Sequence, residues 1–302
     1  MTNNTKKPNW IGVDWGTSNL RVALMFDDGT TQCLTSDQGM SGLSPDAFEP
    51  ALLAMINDHL GTGVTPVVIC GMAGSRQGWA EAPYIATPCN PPSIAEAVKV
   101  KVNDPRISVS ILPGVKQAKP ADVMRGEETQ IAGFLAQKPD FDGVLCLPGT
   151  HSKWVHISAK EIVSFRTFMT GEMFALLAEQ SVLRFSVQAE LDLDAFDAAV
   201  GDALSRPETI GAELFALRAG TLLATLSESA ARGRLSGLLI GTELAGARPY
   251  WLGRDIALIG AGKLTALYQR ALAQQGITAP AVSGEDMVLS GLSAAYTQQV
   301  KS

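Results

Sequence analysis

Apolar and polar positions fall into short blocks that match buried strands and amphipathic helices in turn. Trp10 to Phe26 reads as two apolar runs parted by the polar turn Gly16-Thr17-Ser18-Asn19. The turn Asp27-Asp28-Gly29 closes the second, and a third run spans Thr31 to Leu34. The same order recurs from Gly143. An apolar run reaches Leu147, then come the turn Gly149-Thr150-His151-Ser152, a run to Ile157, a charged turn at Lys160-Glu161 and a run from Ile162 to Phe165. A repeated strand–turn–strand unit predicts two similar domains whose turns face each other.

The intervening blocks alternate in period. Pro45 opens a predicted helix with the stripe Phe48, Leu52, Ile56 and Leu60, stopped by Gly61. Val67–Cys70 and Ile107–Leu112 read as strands, with the loop Gly71–Trp79 after the first. Further helices are predicted from near Gly126, over Thr170–Leu183 with Thr170 as cap, over Asp194–Leu204 and over Glu208–Arg232. Leu238–Gly241 and Ile256–Gly260 read as buried strands, each feeding a helix, and a last helix covers Glu285 to about Gln299. The predicted class is α/β, with mixed sheets flanked by helices. Lys138-Pro139-Asp140 marks the boundary between an N-terminal lobe, 1–138 joined by the helix 285–302, and a C-terminal lobe, 139–284.

Composition narrows the function classes. The chain has 302 residues, enough for two moderate domains, and 46% hydrophobic with 18% charged residues describes a globular protein. A net charge of −6 without a Lys/Arg block argues against a nucleic-acid or anionic-membrane surface. No apolar run approaches the roughly 20 residues that span a bilayer. Met1–Pro8 lacks the apolar core of a signal peptide, so a cytoplasmic protein is expected. Cys33, Cys70, Cys89 and Cys146 show no CxxC spacing and read as reduced, buried thiols.

The turns carry the candidate chemistry. Gly16-Thr17-Ser18 and Gly149-Thr150-His151-Ser152 offer backbone N–H groups and hydroxyls to phosphate oxygens. Asp14, at a strand end beside the first turn, is placed to hold a hydrated Mg²⁺. Leu147 occupies the equivalent place in the second copy, so the two turns are not equivalent. Gly260-Ala261-Gly262-Lys263 follows a strand and opens a helix. It lacks the P-loop spacing, but could take a nucleotide's base or ribose against bare backbone. In the Gly71–Trp79 loop, Arg76 could clamp a carboxylate, and Ser75, Gln77 and Trp79 could meet a polyol. Glu127 and Glu128 open a helix. Glu128 shares a stripe with Ile131, Ala132 and Leu135, which turns it toward the packed face and favours it over Glu127 as a catalytic base. Asp122 is expected to precede that helix.

Six segments together, DWGTSNLR at Asp14–Arg21, GMAGSRQGW at Gly71–Trp79, MRGEETQIAGF at Met124–Phe134, LPGTHSKWV at Leu147–Val155, MTGE at Met169–Glu172 and IGAGKLTALY at Ile259–Tyr268, resemble the 2-dehydro-3-deoxygalactonokinase family. These are sugar-acid kinases of the actin/hexokinase/Hsp70 superfamily, and the resemblance covers essentially the whole chain. It implies two ribonuclease-H-like lobes around a central cleft, with ATP and Mg²⁺ donating a phosphoryl group to the 6-hydroxyl of a keto-deoxy sugar acid. It places Lys153 with the phosphate contacts, Gly241 with the adenosine contacts beside Gly260, Gly262 and Lys263, and Arg21 and Arg125 with the sugar acid. Because the residue before the second turn is Leu147, metal would depend on Asp14 and water. Two alternatives stay open on sequence: an exopolyphosphatase-type phosphohydrolase of the same fold, and a non-enzymatic actin-like ATP-binding module. The assembly state also stays open, a homodimer included.

Overall fold

The structure, a computed structural model, describes residues 6–300. Residues 1–5, part of the polar start read above as no signal peptide, and 301–302, the end of the expected helix-bearing segment, lie outside the described residues. The chain divides into two compact units. One is Met1–Phe141 with Ser158–Ser164 and Gly284–Ser302; the other is Asp142–Ile157 with Phe165–Ser283. Ser158–Ser164 belongs to the first unit because Ile162 bridges Cys89, its N–H donating to the Cys89 carbonyl at 2.8 Å.

In the first unit β1 (Trp10–Trp15) and β2 (Leu20–Met25) form the predicted hairpin, with Asp14 opposite Arg21. Next come β3 (Thr31–Ser36), α1 (Phe48–Ile56), β4 (Thr65–Gly71), β5 (Tyr84–Ala86), β6 (Val98–Val100), β7 (Ile107–Ile111), β8 (Gly114–Gln117), β9 (Asp122–Met124) and α2 (Glu127–Gln137). The main sheet has the order β3-β2-β1-β4-β7-β6, with β1, β4 and β7 parallel. Its apolar faces bury Ile11, Val13, Trp15, Leu20, Val67 and Ile69, alternating along each strand as period two requires.

The second unit repeats this plan. β10 (Gly143–Leu147) pairs antiparallel with β11 (Ser152–Ser158), placing Leu147 opposite Lys153. After β12 (Glu161–Phe168) follow α3 (Thr170–Glu179), α4 (Leu193–Ser205), α5 (Ile210–Leu222), α6 (Glu228–Gly246), α7 (Arg248–Trp251), β13 (Ile256–Ile259), α8 (Gly262–Ala273) and β14 (Ala281–Val282). The sheet order is β12-β11-β10-β13-β14, with β10, β13 and β14 parallel. Hairpin, third strand and two parallel strands in the same order make both units ribonuclease-H-like. The chain then returns to the first unit as α9 (Gly284–Val300), which packs on α2.

That packing depends on two glycines. A Cβ at Gly133 would lie against the Met287 carbonyl oxygen, and one at Gly291 against that of Thr129. Gly133→Ala is therefore expected to destabilise the protein by about 1–3 kcal/mol through overpacking. Urea midpoints would measure it, and an unchanged midpoint would contradict so close an approach.

Several sequence expectations are corrected. Leu238–Gly241 is not a strand but lies inside α6, because Gly233, Gly237 and Gly241 form a helical stripe against the backbone of α4. Glu208–Arg232 is not one helix. It breaks after Leu222, and Ser227 caps α6 by accepting from the Ala230 N–H at 3.1 Å. Helix α3 stops at Glu179, and its cap is Met169, because the Thr170 side chain bonds inward to Glu243. The small sheet of β5, β8 and β9 was not foreseen. Of the thiols expected to be buried, Cys70 and Cys146 are, Cys89 is half-buried and Cys33 is exposed.

Candidate active site

In the first unit the end of β1 carries Asp14. Arg21 Nη1 donates to Asp14 Oδ2 at 3.2 Å, the Cys70 thiol lies 3.9 Å from Oδ1, and Arg21 Nε is 3.5 Å from Glu285 on α9. Burial raises the Asp14 carboxyl above its ordinary range against the pull of Arg21, and the charges of Glu127 and Glu285 add to the rise. Gly71, at φ +87°, lets β4 end against this group, since an added Cβ would sit 2.6 Å from the Trp15 carbonyl oxygen. Thr17 and Ser18 stand exposed on the turn. The turn itself is pinned from behind, with Met40 N–H donating to Gly16 O and Ser41 N–H to Thr17 O, both at 3.0 Å.

The start of α2 folds its two acids back on the chain. Glu127 Oε2 accepts from the Arg125 N–H at 3.0 Å, and both Glu128 oxygens accept from the Gly126 N–H at 2.8 Å. These bonds satisfy helix-end donors, the ordinary use of such acids. Burial goes beyond that use. Glu128 is 1% exposed, as its stripe predicts, while Glu127 is half-buried. Desolvation, with Glu127 adding, pushes the Glu128 carboxyl up to about 7. Asp122 precedes the helix on β9, where it accepts from the Val123 N–H at 2.8 Å.

Arg125 links the small sheet to the Gly71–Trp79 loop. Its guanidinium stacks 4.3 Å from the Tyr84 ring centroid and donates through Nη2 to the Ala82 carbonyl at 2.7 Å. A Cβ on Gly74 would lie 2.8 Å from Nη1. Its Nε and Nη1 are buried with no hydrogen-bond partner among the described residues, and so is Ser75 Oγ. Buried donors left unmet are costly, and a site that binds an anion is one setting that retains them. Arg76 and Gln77 are exposed on the same loop. Trp79 packs on Trp15 and Phe48 as core, which corrects its reading as a polyol contact.

In the second unit a cavity of about 630 Å³ is bordered by Gly149 and Thr150 of the turn, Gly171 at the start of α3, and Lys263 at the start of α8. Its apolar wall includes Phe174, Leu239, Ile240, Leu264 and Leu267, with Arg232 beside them, none of which the sequence reading gave a binding role. The first turn of α3 sits on the phosphate-type turn, the Glu172 N–H donating to Thr150 O at 3.0 Å. His151 pairs with Glu172 at 2.6 Å. Lys153 is buried, and its Nζ donates to His151 O at 3.0 Å. Ser152 is fully buried with its hydroxyl on Tyr268, so its expected hydroxyl contact to phosphate is corrected. Gly262, at φ +73°, opens α8, and Gly260 accommodates Thr265, since a Cβ there would lie 2.6 Å from Thr265 Oγ1. Gly241 is corrected as an adenosine contact. It faces α4, where a Cβ would meet Ala203 and Val200, and its neighbour Ile240 lines the cavity instead.

Comparison with known proteins agrees over most of the chain. A family profile described as 2-keto-3-deoxy-galactonokinase matches residues 14–295. A curated protein of Rhizobium meliloti (strain 1021), named "Probable 2-dehydro-3-deoxygalactonokinase", is 40% identical over 95% of this chain and 96% of its own length. The 2-dehydro-3-deoxygalactonokinase of Escherichia coli (strain K12) is 37% identical over 94% and 96%. A crystal structure from Sinorhizobium meliloti, described in its own naming as a protein of the same activity, superposes with a TM-score of 0.90 at 37% identity. That match covers 96% of this chain and 99% of the other.

Proposed function

This chain belongs to the 2-keto-3-deoxy-galactonokinase family, and from that premise we propose that it transfers the γ-phosphoryl group of ATP to the 6-hydroxyl of 2-dehydro-3-deoxy-D-galactonate, giving the 6-phosphate and ADP in galactonate catabolism. The observation that carries the acceptor side is Arg125, whose buried Nε and Nη1 lack a partner among the described residues and suit oxygens of an anionic acceptor. Arg76, exposed on the adjoining loop, is the second candidate, with Ser75 and Gln77 toward hydroxyls. Arg21 is committed to Asp14 and Glu285, so its part is to orient Asp14. A pyranose ring would close through the 6-oxygen, so the accepted form is the furanose or the open chain.

Glu128 orients the 6-hydroxyl and takes its proton as transfer proceeds, which a carboxylate with a pKa near neutrality suits. The backbones at Gly16-Thr17-Ser18 and Gly149-Thr150 bind phosphate oxygens, and the cavity beside Ile240 and Lys263 takes the adenosine. No group of three or more His, Cys, Asp or Glu that could cage a metal exists among the described residues. One carboxylate at Asp14 does fit a Mg²⁺ bound mainly by phosphate and water. Such an ion would neutralise charge on the transferring group. No helix among the described residues is long and apolar enough to cross a membrane, and dependence on ATP would suit a cytoplasmic reaction.

Arg125→Lys is expected to raise KM for the sugar acid about tenfold or more, since a point ammonium replaces a planar fork, and to leave KM for ATP nearly unchanged. Arg76→Lys should do less, and the reverse ranking would move the carboxylate contact to Arg76. A coupled ADP assay across keto-deoxygalactonate, keto-deoxygluconate, glucose and gluconate tests the whole reading. ADP formation only with a keto-deoxy acid supports it; phosphate release from polyphosphate without acceptor would favour the phosphohydrolase instead.

A further inference from the structure

Beneath the Gly149–Ser152 turn lies a buried acid that the reaction above does not use. Glu243 of α6 is 2% exposed, yet both its oxygens are occupied. Oε1 accepts from Trp154 Nε1 at 2.7 Å, and Oε2 accepts from the Tyr268 hydroxyl at 2.6 Å. The Thr170 side chain also bonds to this carboxylate. The Ser152 hydroxyl lies 2.8 Å from the Tyr268 oxygen and also bonds to the Glu243 carboxylate.

Thr170 lines the 630 Å³ cavity itself, and the other partners sit on, or directly after, elements whose residues line it. Ser152 and Trp154 begin β11 directly after the turn, Thr170 is the first residue of α3, Tyr268 is on α8, and Glu243 itself is on α6. A buried acid is weak evidence for stability, because well-packed apolar side chains often hold a fold as well. What apolar residues cannot do is fix four elements at hydrogen-bonding distances from one centre.

We propose that Glu243 is a positioning residue for the nucleotide: through Trp154, Tyr268, Ser152 and Thr170 it holds the phosphate turn, the first turn of α3 and the body of α8 at the spacing a bound nucleoside diphosphate requires. The inference rests on the kinase reading of this cavity. It is tested with MgADP titrated calorimetrically into the whole protein, wild type, Tyr268→Phe and Glu243→Gln, with steady-state KM values and melting temperatures alongside. Tyr268→Phe removes a single hydroxyl bonded to a buried carboxyl, so MgADP should bind about tenfold more weakly. KM for ATP should rise in step while KM for the sugar acid stays within about twofold. Glu243→Gln should show the same split, and if it fails to fold, Tyr268→Phe decides alone. Wild-type MgADP affinity in a folded Tyr268→Phe, or equal rises in both KM values, would overturn the proposal. Failure of the wild type to bind MgADP would overturn the kinase reading instead.

Discussion

Glu128→Gln is expected to lower kcat by about 100-fold or more, the usual contribution of a general base, and to make the protein more stable at pH 8. The two effects share a cause. The Glu128 carboxyl is buried, and desolvation raises its pKa from 4.5 to about 7. The folded state therefore holds a proton that the unfolded chain has released between those values. Stability from this group is fully present below about pH 4.5 and is lost as pH rises through 7, by on the order of 3 kcal/mol. Gln carries no charge, so the variant should melt higher than wild type at pH 8, with the advantage fading toward pH 4.5. Turnover of the wild type should rise with pH through about 7, as the base must be ionised to accept a proton, and Glu128→Gln should lose that limb. A variant keeping more than about a tenth of wild-type kcat would pass the role to Glu127 or Asp122.

Asp14→Asn should lower kcat by at least about 100-fold with folding intact. Phosphoryl transfer is catalysed chiefly by positioning and charge neutralisation, so losing the acid proposed to hold the metal should remove a large part of the effect. The amide keeps the shape of the side chain beside Arg21 and Cys70, and removing a partly desolvated charge should not reduce stability at neutral pH. Near-normal turnover at saturating Mg²⁺ would show that the metal is held elsewhere.

The parts of the fold legible in sequence were those where period and punctuation agree. The two hairpins are apolar runs parted by short polar turns that contain glycine, and β4, β7, β13, α4 and α9 have clear faces and ends. Glu128 was legible as a buried acid because its stripe repeats every three or four residues. Leu238–Gly241 differs from its strand reading because three apolar side chains in a row carry no period, although the four-residue spacing of Gly233, Gly237 and Gly241 held the helix signal. β5, β8 and β9 are three or four residues long, too short for a pattern, and with them the pairing of Tyr84 and Arg125 was hidden. Nothing in the local sequence marks Glu243. Only long-range packing brings it to Ser152, Trp154, Thr170 and Tyr268.

The central claim is phosphorylation of a keto-deoxy sugar acid at its terminal hydroxyl, and ³¹P NMR of the reaction with 2-dehydro-3-deoxy-D-galactonate and MgATP tests it most directly. The account predicts one new phosphate monoester, formed one for one with ADP, whose phosphorus couples to the two protons of the C6 methylene. Inorganic phosphate without a sugar ester, or an ester coupled to a single carbinol proton, would contradict it.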